Sequence, residues 1–232
     1  MASLDLSAAF DVVNIRLLIK RLKIMGLPED VIELIKVWLT NRSFYVSVDN
    51  NNSTLFDLIC GTVQGSILGP ILYAIYISPI FDLVRMSSFA DDNFTVIWNR
   101  DKNQLIRDME KELETLTKWL KDSGLKVNES KTELVLFYRK DCRQISLILN
   151  GTPIESSSSM NVLGVIFDSR MQWAEHLASC VTKANKALNA IRLIRRYFNT
   201  KELLNLITSN YYSILYYNSE IWHLPNLKPQ LK

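Results

Sequence analysis

The sequence has few of the residues that bind zinc or form disulfides. Its 232 residues include three cysteines, Cys60, Cys142 and Cys180, and two histidines, His176 and His223. The cysteines are far apart and form no CxxC pair, so neither a zinc site nor a disulfide framework is indicated. Free thiols fit a reducing compartment. We therefore expect an intracellular protein, and the sequence does not distinguish nucleus from cytoplasm.

Long apolar runs and targeting segments are also lacking. The first six residues carry no basic charge and no apolar run, so no secretory signal is expected. The most apolar stretch, Ile67 to Phe81, is interrupted by Pro70 and Pro79. It is shorter than the ~20 residues needed to cross a bilayer. We interpret it as a buried helix and expect no membrane partner.

Strong net charge is the third absence. The chain has 27 Lys and Arg against 24 Asp and Glu. Bulk electrostatics therefore do not indicate a nucleic-acid partner, and any such function must depend on a local site. With 232 residues, of which 48% are hydrophobic, the chain is long enough for one large domain or one domain with a small appendage.

Apolar periodicity predicts several helices. Asp11 precedes the first and is expected to cap it, and Gly26 is expected to end it. The predicted helices run from about Asp11 to Met25, Pro28 to Thr40, Ile67 to Leu83, Leu105 to Leu120, Leu177 to Tyr197 and Lys201 to Tyr217.

Extended segments lie between the helices. Asp5 is placed in a short strand, and hairpins are predicted within 44–59 and 86–98, the second turning at Asp91-Asp92-Asn93. Further strands are predicted at Lys131 to Tyr138, Ile145 to Leu149 and Met160 to Phe167, with the polar run Glu155 to Ser159 as a separator and the sheet ending near Asp168.

Three carboxylates are the candidate reactive groups. A sheet that pairs the strand of Asp5 with the hairpin of Asp91 and Asp92 would bring them to one edge. Carboxylate oxygens are the ligands that Mg²⁺ prefers, and two ions roughly 4 Å apart catalyse in-line phosphoryl transfer. The alternative is that Asp91 and Asp92 are ordinary turn residues facing water.

Five segments in order resemble motifs of reverse transcriptases from non-LTR retrotransposons. They are Leu4 to Asp11 (LDLSAAFD), Gly61 to Pro70 (GTVQGSILGP), Phe89 to Asp92 (FADD), Trp119 to Phe137 with Gly124-Leu125, Asn128 and Lys131-Thr132, and Asn161 to Val165 (NVLGV). Val63 stands where the second motif usually has proline. Each motif alone is weak, but five in sequence are a specific signal.

The resemblance implies a metal site. In this family the matching positions indicate that Asp5 and Asp91 ligate two Mg²⁺ or Mn²⁺ ions, with the Leu6 carbonyl as a backbone ligand. Asp92 would be a supporting acid near the primer end. Lys131 matches a lysine thought to assist departure of pyrophosphate, although an exposed strand lysine is the simpler interpretation.

The resemblance also implies a nucleotide site. Phe10 would stand against the incoming sugar and exclude a 2′-hydroxyl, although a core phenylalanine is equally plausible. Gln64 and Gly65 would lie beside the nascent base pair, and the alternative for them is a plain turn before a helix. Asp11 is interpreted as the helix cap, without a chemical role.

The implied fold is α+β, with a reverse-transcriptase-like palm at 1–170, an antiparallel sheet with helices on one face, and a helical thumb-like region at 171–232. The implied partners are an RNA template, a DNA primer and deoxynucleoside triphosphates. The thumb would follow the nucleic-acid backbone through a basic set of residues: Lys183, Lys186, Arg192, Arg195, Arg196 and Lys201.

Related enzymes have a fingers region before the first motif, whereas this sequence begins four residues before Asp5. The expectation is therefore a palm and thumb whose fingers belong to a parent polyprotein, inactive alone. Two alternatives stay open. In the first, the chain would be the product of a decayed element; in the second, it would be a retained module that binds RNA or another protein without catalysis.

Overall fold

The computed structural model describes residues 1–137 and 144–223, which fall into two compact units. Unit 1 contains residues 1–136 and 144–157, and unit 2 contains residue 137 and residues 158–223. Cys142 and the predicted strand end at Tyr138 lie outside the described residues. The names palm and thumb, with a boundary at 170, stay a prediction.

The strands, in chain order, are β1 (Ala2–Leu6), β2 (Arg42–Phe44), β3 (Ser47–Val48), β4 (Asn51–Asn52), β5 (Phe56–Leu58), β6 (Met86–Phe89), β7 (Asp92–Thr95), β8 (Val127–Val135), β9 (Ser146–Leu149), β10 (Thr152–Ser157), β11 (Ser159–Val162) and β12 (Val165–Asp168). Within the described residues, the main sheet has six strands in the order β6-β7-β1-β8-β10-β9. All of its pairs are antiparallel except β8 with β10. The α+β fold class is confirmed.

The helices, in chain order, are α1 (Ile15–Ile24), α2 (Glu29–Leu39), α3 (Leu68–Ile77), α4 (Lys102–Asp122), α5 (Ala174–Ile194), α6 (Thr200–Ile207), α7 (Ser213–Tyr216) and α8 (Ser219–Trp222). A 3₁₀ turn at Ser78–Asp82 extends α3, and another at Arg195–Tyr197 extends α5. All the predicted helices are present, within a few residues of their expected ends.

The start of the first helix is a correction. Asn14, not Asp11, caps α1, since the Asn14 side chain accepts a hydrogen bond from the backbone N–H of Leu17 at 3.1 Å. Aspartate and asparagine both make good caps, so residue type alone does not predict which of the two positions is used. The side chain of Asp11 has another partner, Gln64.

The core of unit 1 lies between one face of the main sheet and its helices. Helix α4 turns a buried stripe toward the core, made of Met109, Leu113, Leu116 and Leu120. Alternating residues of β1 meet the same core. The burial of apolar side chains from both layers therefore holds the helices on the sheet.

Strand β10 is missing from the strands predicted above. It occupies most of the segment that was interpreted as a polar separator, and it pairs with both β8 and β9. Its inward residues Ile154 and Ser156 are buried, whereas Glu155 is exposed. Along the chain, β10 is therefore the last strand of the main sheet, and the prediction that the sheet ends near Asp168 is wrong.

Unit 2 begins with a hairpin and continues in helices. Strands β11 and β12 pair around a turn at Leu163-Gly164, so the predicted strand from Met160 to Phe167 is two strands. Helix α5 contacts β12. Asn199 caps α6 with reciprocal hydrogen bonds to Glu202, which confirms the break predicted there.

Hairpin β2–β5, with the small β3–β4 ladder inside it, confirms the first predicted hairpin. Its apolar side chains are exposed, among them Phe44, Val48 and Phe56.

Within residues 1–137 and 144–223, helices long and apolar enough to cross a bilayer are absent.

Leu116→Ala is expected to lower the free energy of unfolding by about 2 to 5 kcal/mol, because Leu116 is fully buried and its loss leaves a cavity. Leu34→Ala on α2 is the control, since Leu34 is 70% exposed and a surface change costs under about 0.5 kcal/mol. Urea unfolding followed by circular dichroism measures both. Equal losses would contradict the assignment of the α4 stripe to the core.

Candidate active site

Asp5 is carried by β1, which is paired on both sides. Strand β7 pairs with it at Leu4↔Asn93, and β8 pairs with it at Asp5↔Asn128. Leu4 and Leu6 are buried, and alternation along the strand turns Asp5 to the opposite face. The Asp5 side chain keeps 38% of its accessible surface. A half-exposed carboxylate therefore stands on a central strand.

Asp91 and Asp92 stand at the tip of hairpin β6–β7. Ala90 adopts a left-handed conformation at φ 56°, and the turn lies between Phe89 and Asp92, which face each other across the hairpin. Asn93 anchors this turn, because its side chain donates to the Asp91 carbonyl at 2.7 Å. Since β7 is the neighbour of β1, the hairpin brings both carboxylates to the end of the strands where Asp5 lies. This end of the main sheet is called the carboxylate edge.

The charges of the three aspartates interact. Partial burial raises the pKa of Asp92, and repulsion from the Asp91 and Asp5 carboxylates raises it further. This is the behaviour expected of carboxylates that share one edge without a bound cation. The three charges are thus close enough to influence one another, although Asp92 itself remains largely open to solvent, and their role as a metal site stays a prediction.

The donor chemistry of this edge suits a hard divalent cation. Asp5 and Asp91 offer carboxylate oxygens, and Leu6 follows Asp5 on the same strand with its main-chain carbonyl. Among the described residues, no group of three or more His, Cys, Asp or Glu side chains is arranged to hold a metal ion. The predicted set has two carboxylates and one carbonyl, which Mg²⁺ commonly completes with phosphates and water.

Lys131 reaches the site through an irregularity in β8. Between the pairs Ser3↔Glu133 and Asp5↔Asn128, residues 129–132 of β8 lie opposite the single residue Leu4. Such a bulge redirects side chains. The Lys131 Nζ atom lies 3.7 Å from Asp5 Oδ2, with 68% of the lysine side chain exposed. This loose ion pair places a mobile cation beside the candidate metal ligand.

Phe10 follows β1 and lies against Tyr73 of α3, with the ring centroids 4.5 Å apart. Phe10 is half-buried, whereas Tyr73 is 1% exposed. Among the described residues, the Tyr73 hydroxyl has no hydrogen-bond partner. Burial, then the nearby charge of Asp91, raises the pKa of Tyr73. One edge of Phe10 is therefore fixed by the core while the ring remains partly open.

Gln64 and Gly65 lie on the loop before α3, and both are exposed. The Gln64 Nε2 atom donates to Asp11 Oδ1 at 2.6 Å. Gly65 has φ +75°, which only glycine adopts easily, and a Cβ at this position would meet no atom within 4 Å. The loop therefore offers open backbone beside the segment that carries Phe10.

Three residues around this site make supporting contacts that the motifs do not predict. Asp11 holds Gln64, Tyr73 supports Phe10, and Arg42 donates to main-chain carbonyls of the segment before Gln64. Asp11 was interpreted as a cap, and Arg42 and Tyr73 lie in an exposed hairpin and an apolar helix. Their contacts cross 18 to 63 residues of chain, so local patterns do not reveal them.

The basic residues predicted for a thumb are exposed in unit 2. Lys183, Lys186 and Arg192 lie on α5, and Arg196 stacks over Tyr197 at 4.8 Å from the ring centroid. These positions leave their cationic groups available to phosphates. A role in holding nucleic acid stays a prediction.

Comparison with known proteins gives a family match and several relatives. Residues 1–167 match the family described as reverse transcriptase (RNA-dependent DNA polymerase). The chain is 26% identical over 189 residues to the RNA-directed DNA polymerase from mobile element jockey of Drosophila melanogaster, covering 77% of this chain and 20% of the relative. It is 27% identical over 215 residues to the probable RNA-directed DNA polymerase from transposon BS of the same species, covering 88% and 23%.

The chain thus spans about a fifth of the length of these relatives. Among solved structures, it is similar to telomerase of Candida albicans in complex with a fragment of telomeric RNA, with a TM-score of 0.51 and 14% identity. The match covers 93% of this chain and 41% of the telomerase chain. At this identity the likeness supports the fold alone.

Asp91→Asn is expected to lower the pKa of Asp92 toward its ordinary value of 3.8, because it removes one of the two repelling charges. The raised pKa means that stability falls as pH rises above 3.8 through the folded value, so Asp91→Asn should flatten that fall. NMR titration of the Asp92 carboxyl measures the shift. The exposed Asp57→Asn is the control, and an equal effect there would refute the cluster.

Proposed function

Because this chain belongs to the reverse transcriptase (RNA-dependent DNA polymerase) family, we propose that it forms the polymerase active site of a non-LTR retrotransposon protein. The membership confirms the resemblance of the five motifs. The proposed reaction is template-directed addition of deoxynucleotides to a DNA primer on an RNA template. The activity and substrates of the whole protein belong to this proposal.

One observation carries the proposal. The pairing of β1 with β7 puts Asp5 and the Asp91-Asp92 turn on neighbouring strands, and the pKa of Asp92 is raised first by its partial burial and then by the charges of Asp91 and Asp5. Ordinary turn residues that face water do not repel a carboxylate on another strand. The interpretation of Asp91 and Asp92 as a plain turn is therefore the weaker one.

Asp5, Asp91 and the Leu6 carbonyl are the proposed ligands of two divalent ions, and domains of this family generally use such ions. Bound there, Mg²⁺ or Mn²⁺ would activate the primer hydroxyl and neutralise phosphate charge. Asp92 is proposed as a supporting acid at the primer end. The carboxylates repel one another without a cation, so this edge is prepared to bind positive charge.

Phe10, Gln64 and Gly65 are the proposed nucleotide contacts. Tyr73 packs against the Phe10 ring, so the ring has little room to move away from a 2′-hydroxyl. Gly65 presents main chain without a side chain, and Gln64 offers an amide beside it. A shape-based exclusion of ribose and a close backbone approach are consistent with this geometry.

Lys131 is proposed to assist departure of pyrophosphate. Its ammonium group lies against Asp5 and is mostly exposed, so it is free to turn toward a phosphate that arrives at the same edge. A charge-assisted contact to the leaving group would stabilise the negative charge that develops there. The match of residues 1–167 to the reverse transcriptase family supports a nucleic-acid template as the partner.

The proposal predicts metal-dependent synthesis that requires Asp91. Since the chain spans about a fifth of its relatives, we would place it in the jockey protein in exchange for the matched segment and assay primer extension on an RNA template. Synthesis should need Mg²⁺ or Mn²⁺ and fall at least a hundredfold in Asp91→Asn or Asp5→Asn, since each change weakens a proposed ligand of the cations that would stabilise the transition state.

Asp57→Asn is the matched control, because it removes an exposed carboxylate of unit 1 that does not contribute to the raised pKa of Asp92. The isolated chain is assayed in parallel, and little or no extension is expected from it. A chimera that binds primed template yet never extends it would favour the retained binding module over the polymerase.

Phe10→Val should raise incorporation of ribonucleotides relative to deoxynucleotides by at least about tenfold, because it opens space where the sugar would lie. The ratio is measured by primer extension with the chimera. Phe44→Val is the control, since Phe44 is an exposed phenylalanine that stacks on Phe56 in hairpin β2–β5. An unchanged ratio in Phe10→Val would leave Phe10 as a core residue only.

A further inference from the structure

The Asp11 carboxylate, free of any role in capping α1, has a specific partner 53 residues away. The Gln64 Nε2 atom donates to Asp11 Oδ1 at 2.6 Å. An ionised carboxylate only accepts hydrogen bonds, so the atom that faces Asp11 must be the amide nitrogen. The orientation of the Gln64 amide is therefore determined by chemistry.

This orientation leaves one group of Gln64 available. Among residues 1–137 and 144–223, none donates a hydrogen bond to the Gln64 carbonyl oxygen. The oxygen is therefore a hydrogen-bond acceptor on an exposed side chain whose nitrogen is already engaged. Without Asp11, the two ends of the amide would exchange freely, and a donor would be presented about as often as an acceptor.

The main chain fixes the distance between the two residues. Gly61 donates to the Val13 carbonyl and Thr62 donates to the Phe10 carbonyl, each at 2.8 Å, so the segment before Gln64 is paired with the segment that carries Asp11. A Cβ on Gly61 would lie 2.7 Å from the Asp11 carbonyl oxygen. Only glycine permits this approach.

Arg42 secures the same segment from its other side. Its guanidinium donates to the carbonyls of Cys60 at 3.0 Å and Gly61 at 2.7 Å, and its Nε atom donates to Leu39 at 2.8 Å. A planar group with several fixed donors is suited to hold carbonyls in this way. The contact of Asp11 with Gln64 is thus built on a braced main chain.

We propose that Asp11 is a positioning residue that holds the Gln64 amide with its carbonyl oxygen toward the substrate, as an acceptor for a donor group of the incoming deoxynucleotide or its base pair. This inference rests on the proposed function, in which Gln64 contacts the nucleotide. Asp11 itself does not touch the substrate. The step is binding alone, without a covalent change.

Helix α4 contains a matched pair for comparison. Gln104 Nε2 donates to Asp108 Oδ1 at 2.7 Å, the same hydrogen bond between the same residue types, outside the proposed nucleotide site. Asp108→Leu should therefore remove the same amide-to-carboxylate bond from Gln104, whose carbonyl oxygen still accepts from Arg107. Only Asp11→Leu should weaken nucleotide binding.

The first measurement is the side-chain amide NMR signal of Gln64 in the ¹⁵N-labelled 232-residue chain, without nucleotide. Asp11→Leu preserves shape and removes the acceptor, so the Gln64 amide signals should move and sharpen toward those of a free glutamine. Asp11→Asn keeps an oxygen acceptor and should retain part of the shift. Unmoved Gln64 signals in Asp11→Leu would overturn the inference.

The second measurement is the affinity of the jockey chimera for dGTP with Mg²⁺, followed by equilibrium titration. Asp11→Leu should raise Kd by about threefold to tenfold, the worth of one hydrogen bond. Asp11→Asn should recover part of this loss. Gln64→Ala should raise Kd by a similar factor, and the double variant should be no worse than Gln64→Ala, because Asp11 acts through Gln64.

The outcomes separate two failures. If the amide signals respond but the Kd effects of Asp11→Leu and Gln64→Ala are additive, or Asp108→Leu weakens dGTP equally, Asp11 does not position Gln64 for substrate. If the unsubstituted chimera binds no dGTP, the proposed nucleotide site fails and the inference fails with it. The amide signals, read without nucleotide, tell the two failures apart.

Discussion

Strand β1 is hydrogen-bonded to β7 on one side and to β8 on the other, and this double pairing sets the geometry of the candidate site. Leu4 and Leu6 are buried, and Asp5 lies between them on the opposite face. A slip of one residue would bury Asp5 and expose both leucines. The hydrophobic core thus selects the register that presents the carboxylate, so stability and site geometry depend on the same alternation.

The charged edge works against the stability of the unit that carries it. Asp92 ionises less readily than a free aspartate because of its partial burial and its neighbours, and the buried Tyr73 hydroxyl lacks a partner among the described residues. Lys131 offsets part of this charge only loosely, through the bulge in β8. Clustered like charges at a folded edge are expected where a cation or phosphate is to be bound.

The other side of the site depends on main-chain contacts. Arg42 and the close approach of Gly61 fix the segment before Gln64, and Asp11 then engages the Gln64 amide. The open backbone at Gly65 is thereby joined to a segment that hydrogen bonds hold in place. A loop that contacts substrate is most precise when its backbone is held by the scaffold, and the backbone of this loop is held in that way.

The sequence by itself determined the features that depend on local order. The stripe of α4, the break at Asn199 and the five motifs are all contained in short segments, and these were confirmed. Hairpin β9–β10 was not predicted, because apolar periodicity alone does not detect it. The Asn150-Gly151 pair at its turn is the local signal that indicates such a hairpin. Only the tertiary structure decided between Asp11 and Asn14 as the cap, placed β10 parallel to β8 and brought Lys131 to Asp5. Those outcomes depend on partners distant in the chain, and no pattern within a few residues encodes such partners.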